Sequence, residues 1–149
     1  MSGPSPRPSP KGEGELRYRK LWLAIGFALV ALVVFLSLTP NPLEVGQIEE
    51  VKVGHFVAYG VLMLWFAQIF RSGQGRIGAG ILLVLLGVAL EYAQSMTGYR
   101  SFAYADMRDN AIGVGAGLAV GITRVGGILE VVDAWLAGER QMGIPGGKS

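Results

Sequence analysis

The chain has 149 residues, of which 51% are hydrophobic and 16% charged, with a formal net charge of +2. Mean hydropathy is +0.43. Soluble domains carry about a quarter charged residues and cover themselves with polar groups. This balance argues against a soluble enzyme, a disordered chain and a coiled coil, and it leaves a small integral membrane protein. Cysteine is absent and there is one histidine, so no disulfide, thiolate or multi-histidine metal site is expected. The net charge is too small for a nucleic-acid protein read by bulk charge.

Residues 1–20 read as a basic, disordered cytoplasmic tail, with Pro4, Pro6, Pro8 and Pro10 among Ser and Gly. Residues 21–38 then run uncharged, LWLAIGFALVALVVFLSL. At 1.5 Å per residue they span about 27 Å, close to the hydrocarbon thickness of a bilayer. A cleaved signal peptide is the plainer reading, but the run exceeds the usual h-region and no Ala-x-Ala site follows. Pro40 and Pro42 end it.

Three more spans are predicted at 53–70, 77–93 and 107–123. The last is the weakest, with a clean apolar part of only twelve residues, Ala111 to Ile122. Gly113, Gly117 and Gly121 recur every four residues there, a helix-packing surface open to a neighbouring helix or to a second copy in a homo-oligomer. Residues 125–149 form a cytoplasmic tail. Ile128, Leu129, Val131, Val132, Trp135 and Leu136 in it suit a short interfacial helix, with a plain tail as the alternative.

Orientation follows from Lys and Arg in short segments. Ten lie in the N-terminal tail, the second loop and the C-terminal tail, against three in the first and third loops. The expectation is an all-α membrane domain over residues 21–124. Its four transmembrane helices form a compact bundle with both termini cytoplasmic, in the bacterial inner membrane.

That topology gathers the remaining polar residues at the external mouth. Lys52, His55 and Tyr59 share one helix face by their spacing of three and four. Glu91 and Gln94 share another, as do Asp106, Asn110, Gly113 and Gly117. Ionisable groups in spans are costly and mark functional sites by default. Each also has a plainer reading. His55 would hydrogen-bond a carbonyl at a helix end, Glu91 would snorkel or pair with Arg100, and Asp106 would cap the fourth span.

The stretch KVGHFVAY, residues 52–59, resembles the first motif of the VanZ-like family, roughly K-x-x-H-F-x-x-Y. EYAQSMTGYRSFAYADMRDNAIGVGAG, from Glu91, is similar to the second, E-x-x-Q, a turn, R, then D-x-x-x-N-x-x-G. The matching positions are Lys52, His55, Phe56, Tyr59, Glu91, Gln94, Arg100, Asp106, Asn110 and Gly113. Val51 stands where the family often has an acidic residue. The resemblance covers about residues 39–122. It implies a bacterial membrane protein of about four helices, in a family named for a member linked to teicoplanin resistance. It supplies no reaction.

The residues suit an envelope protein whose external cluster binds membrane lipid, a lipid-linked envelope precursor or a membrane protein partner. Lys52 and Arg100 would meet phosphate or carboxylate, with Tyr59, Gln94 and Asn110 as further binding residues. The alternative is an integral-membrane enzyme acting on a lipid-linked precursor. There His55, Glu91 and Asp106 are the catalytic candidates, as base, orienting partner or acid. A small transporter or proton relay is the third reading, opposed by the lack of an inverted repeat. No cofactor is expected.

Overall fold

The computed structural model describes residues 16–39, 48–97 and 104–138, with the side chains of 48–53 excepted. The described residues are helical throughout, with no strand. Helix α1 spans Arg19–Leu38, α2 Ile48–Ile69, α3 Gly73–Ser95 and α4 Tyr104–Gly121. A 3-10 turn, Arg124–Gly127, leads into α5, Ile128–Leu136.

Each helix starts earlier than the apolar runs alone predict, because capping and charged residues extend it. Helix α2 begins at Ile48 and so takes in Glu49 and Glu50. Helix α3 starts at Gly73 because Ser72 caps it, its Oγ accepting the Gly75 N–H at 3.1 Å. Arg76, expected in the loop, lies inside α3. Its Nε donates to the carbonyls of Ala67 and Phe70, both at 3.0 Å, so α3 closes the end of α2. Helix α4 begins at Tyr104 rather than at residue 107.

Helices α1 and α3 are long and apolar enough to cross a membrane. Helix α4 and the segment Arg124–Leu136 pass the same test together but are bent by 73°. The apolar part of α2, Gly54–Ile69, is shorter. Length and composition thus give two crossing helices, or three with the bent pair counted as one. Phe27, Leu32, Phe35 and Leu36 of α1 and Ile81, Leu82 and Leu85 of α3 are exposed. So many large apolar side chains facing outward suit lipid rather than water.

Helices α2 and α4 form the most extensive contact in the fold. They run parallel, since Phe56, Gly60 and Ala67 of α2 meet Gly113, Gly117 and Gly121 of α4 in order. A Cβ at Gly117 would lie 2.2 Å from the Gly60 carbonyl oxygen, and one at Gly113 would lie 2.3 Å from that of Phe56. The backbones touch, and the glycine face is occupied inside the chain. Tyr59, Leu62, Met63 and Ala67 are sealed beneath it. Helix α1 joins at Gly26, over Trp65 and Phe66. There the Trp65 indole donates to the Trp22 carbonyl at 3.1 Å.

The two ends of the bundle are held differently. At one end the Gln94 amide donates to the Ser37 carbonyl at 2.7 Å, tying the last turn of α3 to that of α1. At the other end α5 turns back beneath the helices. The bend needs glycine at Gly126, where a Cβ would run into the Gly121 carbonyl oxygen. Gln68 of α2 accepts the Leu129 N–H at 3.0 Å, and Arg71 pairs with Glu130. The Asp133 carboxylate accepts the N–H groups of Arg17 and Tyr18 at 2.6 and 3.0 Å and the Trp22 indole N–H at 2.6 Å. It therefore caps α1, which has no side-chain cap of its own.

This corrects the expected extent of the N-terminal tail. Leu16 is buried and Arg17 and Tyr18 are hydrogen-bonded, so residues 16–20 belong to the folded part. Residues 1–15 lie outside the described residues. The cap comes from 115 positions away, where no local pattern announces it.

Candidate functional site

Three helices bring polar side chains to the end marked by the Gln94–Ser37 bond. His55 and Tyr59 are one turn apart on α2, Gly87 and Glu91 one turn apart on α3, and Asp106 and Asn110 one turn apart on α4. One turn is about 6 Å of rise, so the residues fall into two tiers.

The inner tier is Tyr59, Gly87 and Asn110. A Cβ built on Gly87 would meet Asn110 Nδ2 at 3.0 Å and the Tyr59 ring at 3.4 Å. The missing side chain of Gly87 is what admits the other two. Tyr59 is 1% exposed and Asn110 4%. Among the described residues the Tyr59 hydroxyl and Asn110 Oδ1 are both buried without a hydrogen-bond partner. Buried polar atoms almost always have partners, and each exception calls for an explanation.

The outer tier is His55, Glu91 and Asp106. His55 is half-buried; Glu91 and Asp106 are buried, at 3% and 8% exposure. All three are engaged in interactions. Asp106 sits in the first turn of α4, where its charge suits the helix dipole.

The other predicted residues divide. Gln94 is buried and spends a donor on Ser37, a helix-closing role. Asp109 pairs with Arg108 at 2.8 Å on the surface. Lys52 lies on α2 one turn before His55, but its side chain and all of Arg100 fall outside the described residues. Gly113, Gly117 and Gly121 face α2. Among the described residues no group of three His, Asp or Glu is placed to hold a metal ion.

Sequence reasoning missed Gly87, although it stands four residues before Glu91 and so shares its face. It also missed Asp133, Trp22 and Gln68 at the opposite end. Their partners lie 61 to 116 residues away.

Chemically, the inner tier offers a phenol that can donate and accept and an amide oxygen that accepts. The outer tier adds two carboxyl groups and an imidazole. No family model matches the chain, and comparison with curated proteins and with solved structures returns no match.

Proposed function

We propose that this chain is a VanZ-like protein of the bacterial inner membrane whose external polar site binds a lipid-linked or other envelope ligand. In this reading α1 to α4 all cross the bilayer and both termini are cytoplasmic. The shorter α2 and the glycine-rich α4 are interior members, and their mutual packing substitutes for hydropathy. The distribution of Lys and Arg supports that orientation.

The observation that carries the reading is the pair of buried orphan atoms, Tyr59 Oη and Asn110 Oδ1, one turn inward of Glu91 and Asp106. A ligand hydroxyl, which can donate to Asn110 Oδ1 and accept from the Tyr59 hydroxyl, satisfies both. Lys52 and Arg100, which flank the site in sequence, supply the charge for a phosphate or carboxylate on the same ligand.

The test is native mass spectrometry of the full chain extracted in detergent. The wild type is expected to retain a lipid-sized adduct, and a Tyr59→Phe/Asn110→Leu variant is expected to lose it while keeping its helical circular dichroism. A wild type without adduct, or a variant that keeps it, overturns the reading.

One observation favours a second reading. The single histidine of the chain sits half-buried at the same end as two buried carboxyl groups. An imidazole there is placed to act as a general base in an enzyme working on a lipid-linked precursor. Turnover lost in His55→Ala with adduct retained would select it.

A further inference from the structure

The opposite end of the bundle carries a different chemistry. Among the described residues Arg17, Arg19, Lys20, Arg71, Arg76 and Arg124 gather there against two carboxylates, Glu130 and Asp133. Both carboxylates are already engaged, Glu130 by Arg71 and Asp133 by the start of α1. A cleft of about 550 Å³ opens along the first turn of α1, lined by Arg17, Tyr18, Arg19, Lys20, Leu21 and Leu23. Its lining combines the basic Arg17, Arg19 and Lys20 with the apolar Leu21 and Leu23.

Helix α5 borders this region. Its Leu129 and Asp133 face the bundle, while Ile128, Val131, Val132, Trp135 and Leu136 are exposed. The 73° bend after α4 lays the segment across the end of the bundle rather than along it. Helix α5 thus lies at the same end of the bundle as this cluster of basic residues, with an apolar face left exposed.

We infer that the α1–α5 corner is a binding site for an anionic glycerophospholipid of the adjoining leaflet. Its headgroup phosphate would meet Arg19 and Lys20 in the cleft, and its acyl chains would run along the exposed Leu21 and the apolar length of α1. Asp133 occupies the N–H groups of Arg17 and Tyr18 just ahead of α1, and the phosphate is held by the Arg19 and Lys20 side chains. Arg19 is steadied over the Phe70 ring at 5.7 Å. Tyr18 and Trp135, both exposed, stand at headgroup depth in this arrangement. The inference shares the membrane setting of the proposed function but none of the polar-site residues.

Native mass spectrometry of the full chain with equimolar phosphatidylglycerol and phosphatidylcholine tests it. Each cation near an anionic surface is worth roughly fivefold in binding, so Arg19→Gln/Lys20→Gln is expected to lower phosphatidylglycerol retention at least about tenfold. Arg108→Gln, on the surface at the other end, is expected to leave it unchanged, which separates this site from the polar one. A nitrobenzoxadiazole label at Leu21→Cys, in a chain with no other cysteine, is expected to shift its emission to the blue in phosphatidylglycerol nanodiscs. The inference is overturned by a wild type without lipid preference, by an equal loss in Arg108→Gln, by displacement with excess inorganic phosphate, or by an unshifted label.

Discussion

Tyr59→Phe separates a ligand-binding hydroxyl from a structural one. The phenylalanine keeps the ring that packs beside Gly87 and deletes only Oη, an atom with no hydrogen-bond partner among the described residues. A buried unsatisfied polar group costs about 1–3 kcal/mol. Removing it should leave the ligand-free protein as stable as the wild type or more stable by about 1 kcal/mol. In a domain of this length that corresponds to a rise in Tm of roughly 2–4 °C. With ligand bound the sign reverses. The lost hydrogen bond is worth about 0.5–1.5 kcal/mol, or roughly two- to tenfold in affinity. The assay is thermal unfolding in detergent, followed by tryptophan fluorescence, on delipidated protein and again after adding back the lipid extract. The variant should match or exceed the wild type in the first condition and gain less from the extract in the second. A delipidated variant that unfolds several degrees early would refute the reasoning, because the hydroxyl would then be holding the fold.

Three further outcomes are expected. Gly117→Ala drives a Cβ into the Gly60 carbonyl and must separate α2 from α4, a cost of about 1–3 kcal/mol or more. Gly115→Ala, with nothing near its Cβ, should be neutral or stabilise by about 0.5–1 kcal/mol; denaturation of the two variants side by side checks the contrast. Burial pushes the Asp133 carboxyl up, but the Trp22 indole, the Tyr18 and Arg17 N–H groups and the Arg17 charge outweigh it and hold it below the usual carboxylate value. A lowered folded-state pKa means that this stabilisation is complete above the unfolded value of about 3.9 and is lost as pH falls through the lower, folded one. Asp133→Asn should cost about 1.5–3 kcal/mol at neutral pH and should remove that acid-dependent component from a pH series of melting curves. For topology, reporters fused after Lys52 and after Ser72 should lie on opposite sides of the membrane, and a shared side would sink the four-span arrangement.

The residues that were legible in the sequence are those whose signal is local. Helical content, the uncharged runs and the four-residue glycine spacing all follow from periodicities of a few positions. So does the grouping of His55 with Tyr59 and of Asp106 with Asn110, because one helical turn fixes which residues share a face. Where a helix gained length, the cause was also local but polar, as with the Ser72 cap, and hydropathy is blind to it. The basic end was not legible. Residues 125–149 read as a tail because nothing in VGGILEVVDAWLA names a partner, and Asp133 looks like any charge on an amphipathic turn. Its role exists only once α5 folds back across the bundle and meets the uncapped start of α1. Gly87 fails to register for the opposite reason. Among 23 glycines it is distinguished only by what its missing side chain admits, and that depends on two other helices arriving at the same depth. The polar tier is therefore a product of packing. α2 and α4 are brought into backbone contact by glycines that have no chemistry of their own, and that contact sets Tyr59 and Asn110 side by side against α3. The glycine face and the orphaned pair are one design. Any change that widens the α2–α4 seam should disperse the site before it unfolds the chain.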